Sequence, residues 1–224
     1  MISASTSVYG IVGNPIEHSL SPLLQNALAK EMNIDMSYVA FHVTDNIKAA
    51  IEGAYFLGIK GFNVTIPFKK DMLNIVSDID ERAKKIGAIN TLKKVQSGYK
   101  GYNTDILGLK HSIKNNGMSI KGKNVILLGA GGAAKAALYL AIEEGAKSVT
   151  IINRNVERAN ELKKEVCDTF KNISVVSLDE LKQNLDILEH NDYFVFQTTN
   201  VGMYPKIDEC IIDDAGFYEK CECG

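Results

Sequence analysis

The chain has 224 residues, 46% of them hydrophobic and 23% charged, which is the composition of a globular protein with one large domain or two small ones. Its net charge of -2 excludes a generally basic surface, so nucleic acid is not an expected partner. No apolar run approaches the ~20 residues that cross a bilayer, and the N-terminus does not resemble a signal peptide, so we expect a cytoplasmic protein with no membrane span.

In the first part of the chain, short apolar runs alternate with helical stretches. Strands are predicted at residues 8–12, 38–43, 61–66 and 88–95, and the last is followed by a turn at Gly98. Helices are predicted at residues 22–32, 45–57, 67–75 and 78–86. This alternation favours a mostly parallel sheet with helical crossovers.

A helix predicted at residues 105–114 carries Ile106, Leu109 and Ile113 on one face, and we interpret it as the connector between two domains. A second series follows, with strands at 124–128, 148–152, 173–176 and 193–197 and helices at 132–144, 159–170 and 179–185. The predicted fold class is therefore α/β, with an N-terminal α/β domain at 1–104 and a C-terminal, doubly wound Rossmann-type domain at 105–224.

A glycine-rich segment follows the strand at 124–128 and fits the pattern G-x-G-x-x-G/A, with Gly129, Ala130, Gly131, Gly132, Ala133 and Ala134. It joins an apolar strand to an alanine-rich helix, which is the context in which this pattern binds a dinucleotide. Gly129 would permit the tight turn, and Gly131 would let the backbone approach a pyrophosphate at the helix N-terminus. A glycine-rich turn without a ligand is the alternative.

The next strand indicates which dinucleotide is bound. An NAD enzyme usually places an acid at its end, whereas this chain has Asn153 and Arg154 there. The planar guanidinium of Arg154 suits a 2′-phosphate, so NADP is favoured, although Glu157 keeps NAD as an alternative. Arg158 is either a second phosphate contact or an exposed helix residue.

A lysine and an aspartate are the candidate catalytic groups. Pro67 suits the first helical position, so Lys69 is predicted in a first helical turn, where the dipole opposes its charge and favours proton exchange. Asp105 would pair with Lys69 and hold a substrate hydroxyl. The alternatives are a solvated lysine beside Lys70 and an aspartate that only favours the dipole of its own helix.

Two further segments offer polar groups to a ligand. Ser21 is predicted as an N-cap with Pro22 at the first helical position, and Ser19 adds a hydroxyl to a helix N-terminus that can hold a carboxylate. The amide of Asn90 could bind ring hydroxyls, and the alternative is a turn or strand-edge asparagine. Cys221 and Cys223 lack the usual metal-site spacing, so we expect reduced thiols and no metal.

Together these segments resemble the shikimate dehydrogenase family, whose motifs occur here in family order. They are S-x-S at Ser19 and Ser21, N-V-T-x-P-F-K at Asn63–Lys69, G-A-x-N-T at Gly87–Thr91, N-T-D at Asn103–Asp105, G-A-G-G-A at Gly129–Ala133, and N-R at Asn153 and Arg154. Each motif is modest alone, but the ordered set is specific and spans most of the chain.

The resemblance implies NADP-dependent interconversion of 3-dehydroshikimate and shikimate, a step of aromatic amino-acid biosynthesis, by a monomer or homodimer. It implies that Lys69 transfers the proton with Asp105 as its partner, and that Asn90 and Asp105 hold ring hydroxyls. The substrate carboxylate would be held by Ser19, Ser21 and Thr65. The remaining residues implied at the cofactor are the glycine segment, Asn153, Arg154, Arg158, Met203 beside the nicotinamide, and Glu81.

The chain departs from the family pattern in two places. Thr199-Asn200-Val201-Gly202-Met203 replaces the usual T-P-x-G-M, and the family continues past Gly224 with a segment that carries a tyrosine and a glutamine of the substrate site. One alternative is an NAD-dependent quinate/shikimate dehydrogenase, against which Ser21 and Arg154 argue. The other is a non-catalytic ligand-binding fragment, against which Lys69 and Asp105 argue.

Overall fold

The structure is a computed structural model that describes residues 2–184, 186, 188, 193–203, 207–219 and 221. The chain divides into two compact units, Met1–Thr104 and Asp105–Gly224. Among the described helices, none combines the length and the apolar character that a bilayer span requires.

The first unit is built on a mixed sheet whose strand order is β2-β1-β3-β5-β6-β4. Its strands are β1 (Ser7–Gly13), β2 (Met36–His42), β3 (Gly61–Val64), β4 (Asp78–Ile79), β5 (Thr91–Val95) and β6 (Gly98–Tyr102). Its helices are α1 (Ser21–Glu31), α2 (Ile47–Phe56), a 3-10 helix (Asp71–Asn74) and α3 (Glu81–Ile86). The core includes Ile51 and Ala54 of α2, Phe62 of β3, and Tyr99 of β6.

The prediction of a mostly parallel sheet is confirmed for the pairs β1–β2, β1–β3 and β4–β6, but it is wrong for β5. β5 is antiparallel to both β3 and β6, whereas β1 is parallel to its neighbours β2 and β3. Only the turn residues Gln96 and Ser97 separate β5 from β6, and so short a connection joins antiparallel strands. Gly98, predicted as a turn, begins β6 with a φ of 137°.

The predicted helix at residues 67–75 is also wrong, because residues 66–70 form turns. The Phe68 N–H donates to the Thr65 carbonyl at 3.0 Å, and helical structure is confined to the 3-10 segment Asp71–Asn74. Phe68 and Met72 are buried in the core. The segment is too short to be a stable helix by itself, so the packing of these two side chains determines its conformation. Lys69 therefore lies in a turn before the 3-10 helix, and not in the first turn of an α-helix.

The second unit contains a sheet whose described strands are all parallel, in the order β10-β7-β8-β9. The strands are β7 (Asn124–Leu128), β8 (Ser148–Asn153), β9 (Ile173–Ser177) and β10 (Tyr193–Gln197). The helices are α4 (Asp105–Asn115), α5 (Gly132–Glu143), α6 (Val156–Lys164), α7 (Leu178–Gln183) and α8 (Ala215–Glu219). This order confirms the predicted Rossmann-type sheet, and its ligands bind where the order reverses, at the carboxyl ends of β7 and β10.

Helix α6 begins three residues earlier than predicted. Asn155 is its N-cap, because the side-chain oxygen accepts from the Arg158 N–H at 2.7 Å. The cap places Arg158 in the first turn of α6, close to the end of β8. The predicted helix at 179–185 is observed as α7, and Leu185 lies outside the described residues.

Candidate active site

In the first unit, Ser19 and Ser21 lie where the loop after β1 enters α1. The Ser19 N–H donates to the Ile16 carbonyl at 3.0 Å, and the Ser21 N–H donates to Ser19 Oγ at 3.3 Å. The prediction that Ser21 caps α1 is wrong: Leu20 is the N-cap and makes no side-chain capping bond, so Ser21 is the first helical residue. Both serines are only partly buried, which leaves their hydroxyls at the helix N-terminus accessible to an anion.

This loop is held against the segment that contains Thr65. The Thr65 N–H donates to the Val12 carbonyl at 3.0 Å, and the Asn14 N–H donates to the Ile66 carbonyl at 3.0 Å. A Cβ added to Gly13 would lie 2.5 Å from the Thr65 methyl, so only glycine allows the two segments to approach this closely. Thr65 is thereby placed on the segment next to the serine loop.

The turn that carries Lys69 is joined to the segment that carries Asn90. The Ile89 N–H donates to the Lys69 carbonyl at 2.8 Å, and the Val64 N–H donates to the Asn90 carbonyl at 2.8 Å. The Lys69 side chain is half-buried. Backbone hydrogen bonds between distant segments therefore position Lys69, in place of the predicted helix.

Asn90 is buried, with 8% of its surface exposed, and its side-chain oxygen has three donors. They are the Thr91 hydroxyl at 2.9 Å, the Thr104 N–H at 3.0 Å and the Thr104 hydroxyl at 3.2 Å. Reversing the amide would place its NH2 against the Thr104 N–H, so the backbone donor fixes its orientation. The side-chain oxygen of Asn90 therefore joins the segment at residue 90 to the segment at residue 104.

Two other predicted site residues occupy helix starts. Asp105 is the first residue of α4 and is half-buried. Glu81 lies in the first turn of α3, where its carboxylate forms an exposed ion pair with Lys84 at 2.7 Å. The pairing of Asp105 with Lys69 and the cofactor role of Glu81 stay predictions.

In the second unit, Gly129 lies between the ends of β7 and β10 and has a φ of 110°. A Cβ there would lie 2.7 Å from Thr198 Oγ1 and 3.1 Å from the Thr199 methyl. The Thr198 hydroxyl cannot easily move, because it donates to the Leu128 carbonyl at 2.6 Å. Glycine at this position is required by the protein's own packing as well as by its backbone conformation.

Gly131 and Gly132 differ from Gly129, because the described protein atoms leave room for a side chain at both positions. Gly131 is the N-cap of α5 in an extended conformation, and an added Cβ would meet Arg158 Nη2 at 3.8 Å. At Gly132 an added Cβ would meet no atom of the described residues within 4 Å. The space beside these N–H groups therefore fits a pyrophosphate at the N-terminus of α5, and the nearby Arg158 guanidinium adds positive charge.

A cleft of about 290 Å³ opens beside Gly129. Its walls come from the end of β8, helix α7 and the segments after β10, and its described lining residues are Gly129, Ile152, Asn153, Arg154, Leu178, Lys182, Thr199, Val201, Glu209, Cys210 and Ile211. Asn153 donates through its side chain to the Asn155 carbonyl at 2.8 Å. Lys182 was not among the residues predicted from the sequence, because no local motif distinguishes it from an ordinary surface lysine.

Met203 ends a turn after β10, in which its N–H donates to the Asn200 carbonyl at 3.2 Å. The residue is 62% exposed, so its side chain is accessible to a ligand. Among the residues that the structure describes, no cluster of three or more acidic, histidine or cysteine side chains is arranged for a metal. Cys167, Cys210 and Cys221 are free thiols, and Cys223 lies outside the described residues.

Comparison with known proteins finds similarity along most of the chain. Residues 11–92 match the shikimate dehydrogenase substrate binding domain, and residues 111–201 match the shikimate/quinate 5-dehydrogenase family. A shikimate dehydrogenase (NADP(+)) of Methanococcus maripaludis (strain C6) is 39% identical over 209 residues, which are 93% of this chain and 73% of that protein.

Solved structures agree with this result. A shikimate dehydrogenase crystallised in complex with NADP+ is 38% identical, with a TM-score of 0.84 over 95% of this chain and 73% of the other. A shikimate 5-dehydrogenase from Listeria monocytogenes, in complex with shikimate and NAD, is 28% identical, with a TM-score of 0.86 over 96% of this chain and 76% of that chain.

Proposed function

Because the chain belongs to the shikimate dehydrogenase family, we propose that it catalyses the NADP-dependent, reversible reduction of 3-dehydroshikimate to shikimate in aromatic amino-acid biosynthesis. One observation carries this proposal beyond the family. The N-terminus of α5 is open at Gly131 and Gly132, with Arg158 nearby, and Arg154 lines the cleft beside Gly129. Residues 1–104 would be the substrate-binding catalytic domain, and residues 105–224 the NADP-binding domain.

The substrate carboxylate is assigned to the hydroxyls of Ser19, Ser21 and Thr65. The two serines lie at the N-terminus of α1, where backbone N–H groups favour a negative charge. Thr65 lies on the adjoining segment, next to Gly13. Ring hydroxyls are assigned to Asp105 and to Asn90, which is buried at the end of the segment that precedes β5.

The proton is assigned to Lys69. When bound, NADPH supplies the hydride that reaches the ketone carbon. Lys69 donates its proton to the substrate oxygen, which offsets the negative charge that develops there, and accepts a proton from the hydroxyl in the reverse direction. Asp105 orients the Lys69 amine and a ring hydroxyl, so that the reacting groups are held in position.

The cofactor is assigned to the second unit. Residues 129–133 hold the pyrophosphate through the N-terminus of α5, and Arg154 holds the 2′-phosphate, with Asn153 and Arg158 beside it. Met203 would contact the nicotinamide, and Glu81 is also assigned to the cofactor on the family resemblance.

We also propose that the protein acts in the cytoplasm as a monomer or homodimer. The thiol of Cys167, which forms no disulfide, is compatible with a reducing compartment. Size-exclusion chromatography with light scattering measures the oligomeric state directly.

A steady-state assay tests the proposed reaction. At alkaline pH, shikimate with NADP+ should produce the absorbance of NADPH, and quinate or NAD+ should be poorer substrates. Equal rates with NAD+ and NADP+ would reject the role of Arg154 and favour the NAD-dependent alternative. Binding of shikimate without any turnover would instead identify a non-catalytic binding protein.

A further inference from the structure

We propose that Lys182 is a specificity-determining residue that binds the 2′-phosphate of the cofactor together with Arg154. The inference rests on the proposed use of NADP. Lys182 belongs to α7, a helix that carries none of the family motifs found in the sequence.

The sheet register brings the two cations to the same cleft. Asn153 at the end of β8 pairs with Ser177 at the end of β9, so Arg154 and Leu178 both follow directly from paired positions. Leu178 lines the cleft, and Lys182 is four residues further along α7 on the same helix face. The cleft therefore has Arg154 on one side and the Leu178–Lys182 face on another.

Helix α7 is firmly held, so the position of Lys182 is defined. Ser177 and Glu180 form a capping box, in which each side chain accepts from the other residue's N–H at 3.0 Å. Leu178 and Leu181 are buried beneath the helix. A lysine on so short a helix would otherwise have little fixed relation to the cleft.

The charges in the cleft favour a multivalent anion. Neither Arg154 nor Lys182 forms an ion pair with any residue that the structure describes. Glu209, an acidic residue that also lines the cleft, is itself engaged in a polar interaction. The described lining thus has two cations, Arg154 and Lys182, and one carboxylate, Glu209, so its net charge is positive and a phosphate between the cations would offset it.

The size and lining of the cleft fit the adenosine half of a dinucleotide. Its volume of about 290 Å³ is at the lower end of the range for small-molecule sites. Ile152 and Leu178 provide apolar surface for a base, and the position after β8 is where Rossmann folds read the ribose 2′ substituent.

Calorimetric titration of the full chain with 2′,5′-ADP and with 5′-AMP tests the inference, because the two ligands differ by the 2′-phosphate. Lys182→Gln should weaken 2′,5′-ADP binding about tenfold, as loss of a charge-assisted contact does, and leave 5′-AMP binding unchanged. Lys182→Arg should retain most of the affinity. Lys171→Gln, an equal change of charge at an exposed residue outside the cleft, is the matched control.

Unchanged 2′,5′-ADP affinity in Lys182→Gln, or an equal loss for both nucleotides, would overturn the inference and leave the proposed NADP dependence intact. The same holds if Lys171→Gln weakens binding as much as Lys182→Gln does. If the unaltered chain itself does not prefer 2′,5′-ADP to 5′-AMP, the proposed cofactor is wrong and the role of Lys182 is wrong with it.

Discussion

At the scale of single residues, the candidate site is a set of side chains whose positions depend on backbone hydrogen bonds between distant segments. The turn that carries Lys69 is held by Ile89, and the amide of Asn90 is held by Thr104. The sequence nominated these residues as site candidates, because their motifs are local, and their roles stay predictions. It did not predict what holds them, because those bonds join residues far apart in the chain.

Lys69→Ala should abolish turnover and leave substrate binding nearly normal. Loss of a general acid–base group costs about 10²–10⁴-fold in rate, whereas the carboxylate and ring-hydroxyl contacts stay in place. Measurement of kcat together with calorimetric binding of shikimate separates the two effects. Lys70→Ala, at the exposed neighbouring lysine, is the control and should keep its activity. Equal activity of the two variants would contradict the role of Lys69.

Asn90→Ala should lower the free energy of unfolding by about 1–3 kcal/mol, because the Thr104 N–H and hydroxyl lose their acceptor. It should also raise the KM for shikimate. Chemical denaturation and steady-state kinetics measure these effects, and Asn116→Ala at an exposed helix end is the control. A fully stable Asn90→Ala protein would show that these hydrogen bonds do not hold the segment.

Substitutions of Gly129 and Gly131 should have different effects, the first on stability and the second on NADP+ binding. Gly129→Ala should lower the free energy of unfolding by about 1–3 kcal/mol, because of its positive φ and the contact with Thr198. Gly131→Ala should change stability much less, since its added Cβ meets only ordinary contact, but should weaken NADP+ binding. Thermal denaturation and NADP+ titration of both variants check the contrast, and normal NADP+ binding by Gly131→Ala would argue against the cradle.

At the scale of helices and strands, the parallel elements were predicted well and the hairpin poorly. The strands of the second unit are apolar runs that are buried, which is a clear local signal. Gly101 of β6 was not predicted to lie in a strand. Glycine is required there because a Cβ would lie 2.5 Å from the Ile89 side chain. That requirement comes from packing between segments, and the strand propensities of single residues carry no information about such packing.

Two buried tyrosines on the first sheet predict a loss of stability at high pH. Burial raises the pKa of Tyr38 and of Tyr99 to about 12, and their hydroxyls donate to Asn63 and to the Ile59 carbonyl. A tyrosine in the unfolded chain ionises near pH ~10. The contribution of the two tyrosines to the free energy of unfolding is therefore complete below about pH 10 and is lost as the pH rises towards about 12.

Denaturant unfolding across that pH range measures the effect. The unaltered chain should lose more stability between about pH 10 and 12 than the double variant Tyr38→Phe and Tyr99→Phe, which lacks both titrating groups. Parallel pH profiles for the two proteins would contradict the assignment.

At the scale of the whole molecule, the order of the motifs predicted a substrate domain followed by a dinucleotide domain, and the α/β fold agrees. The net charge of -2 gave no sign of the two cations in the cleft, because an overall balance conceals local separation of charge. Lys182 could be found only once the register of β8 and β9 was known.

Transfer of deuterium from NADPH to the product is a direct test of the proposed reduction of 3-dehydroshikimate. The chain is incubated with 3-dehydroshikimate and NADPH that carries deuterium at both C4 positions, and the product is analysed by mass spectrometry. If the chain catalyses the proposed hydride transfer, the product is shikimate that carries a single deuterium on the former ketone carbon. Shikimate without deuterium, or no shikimate at all, would contradict it.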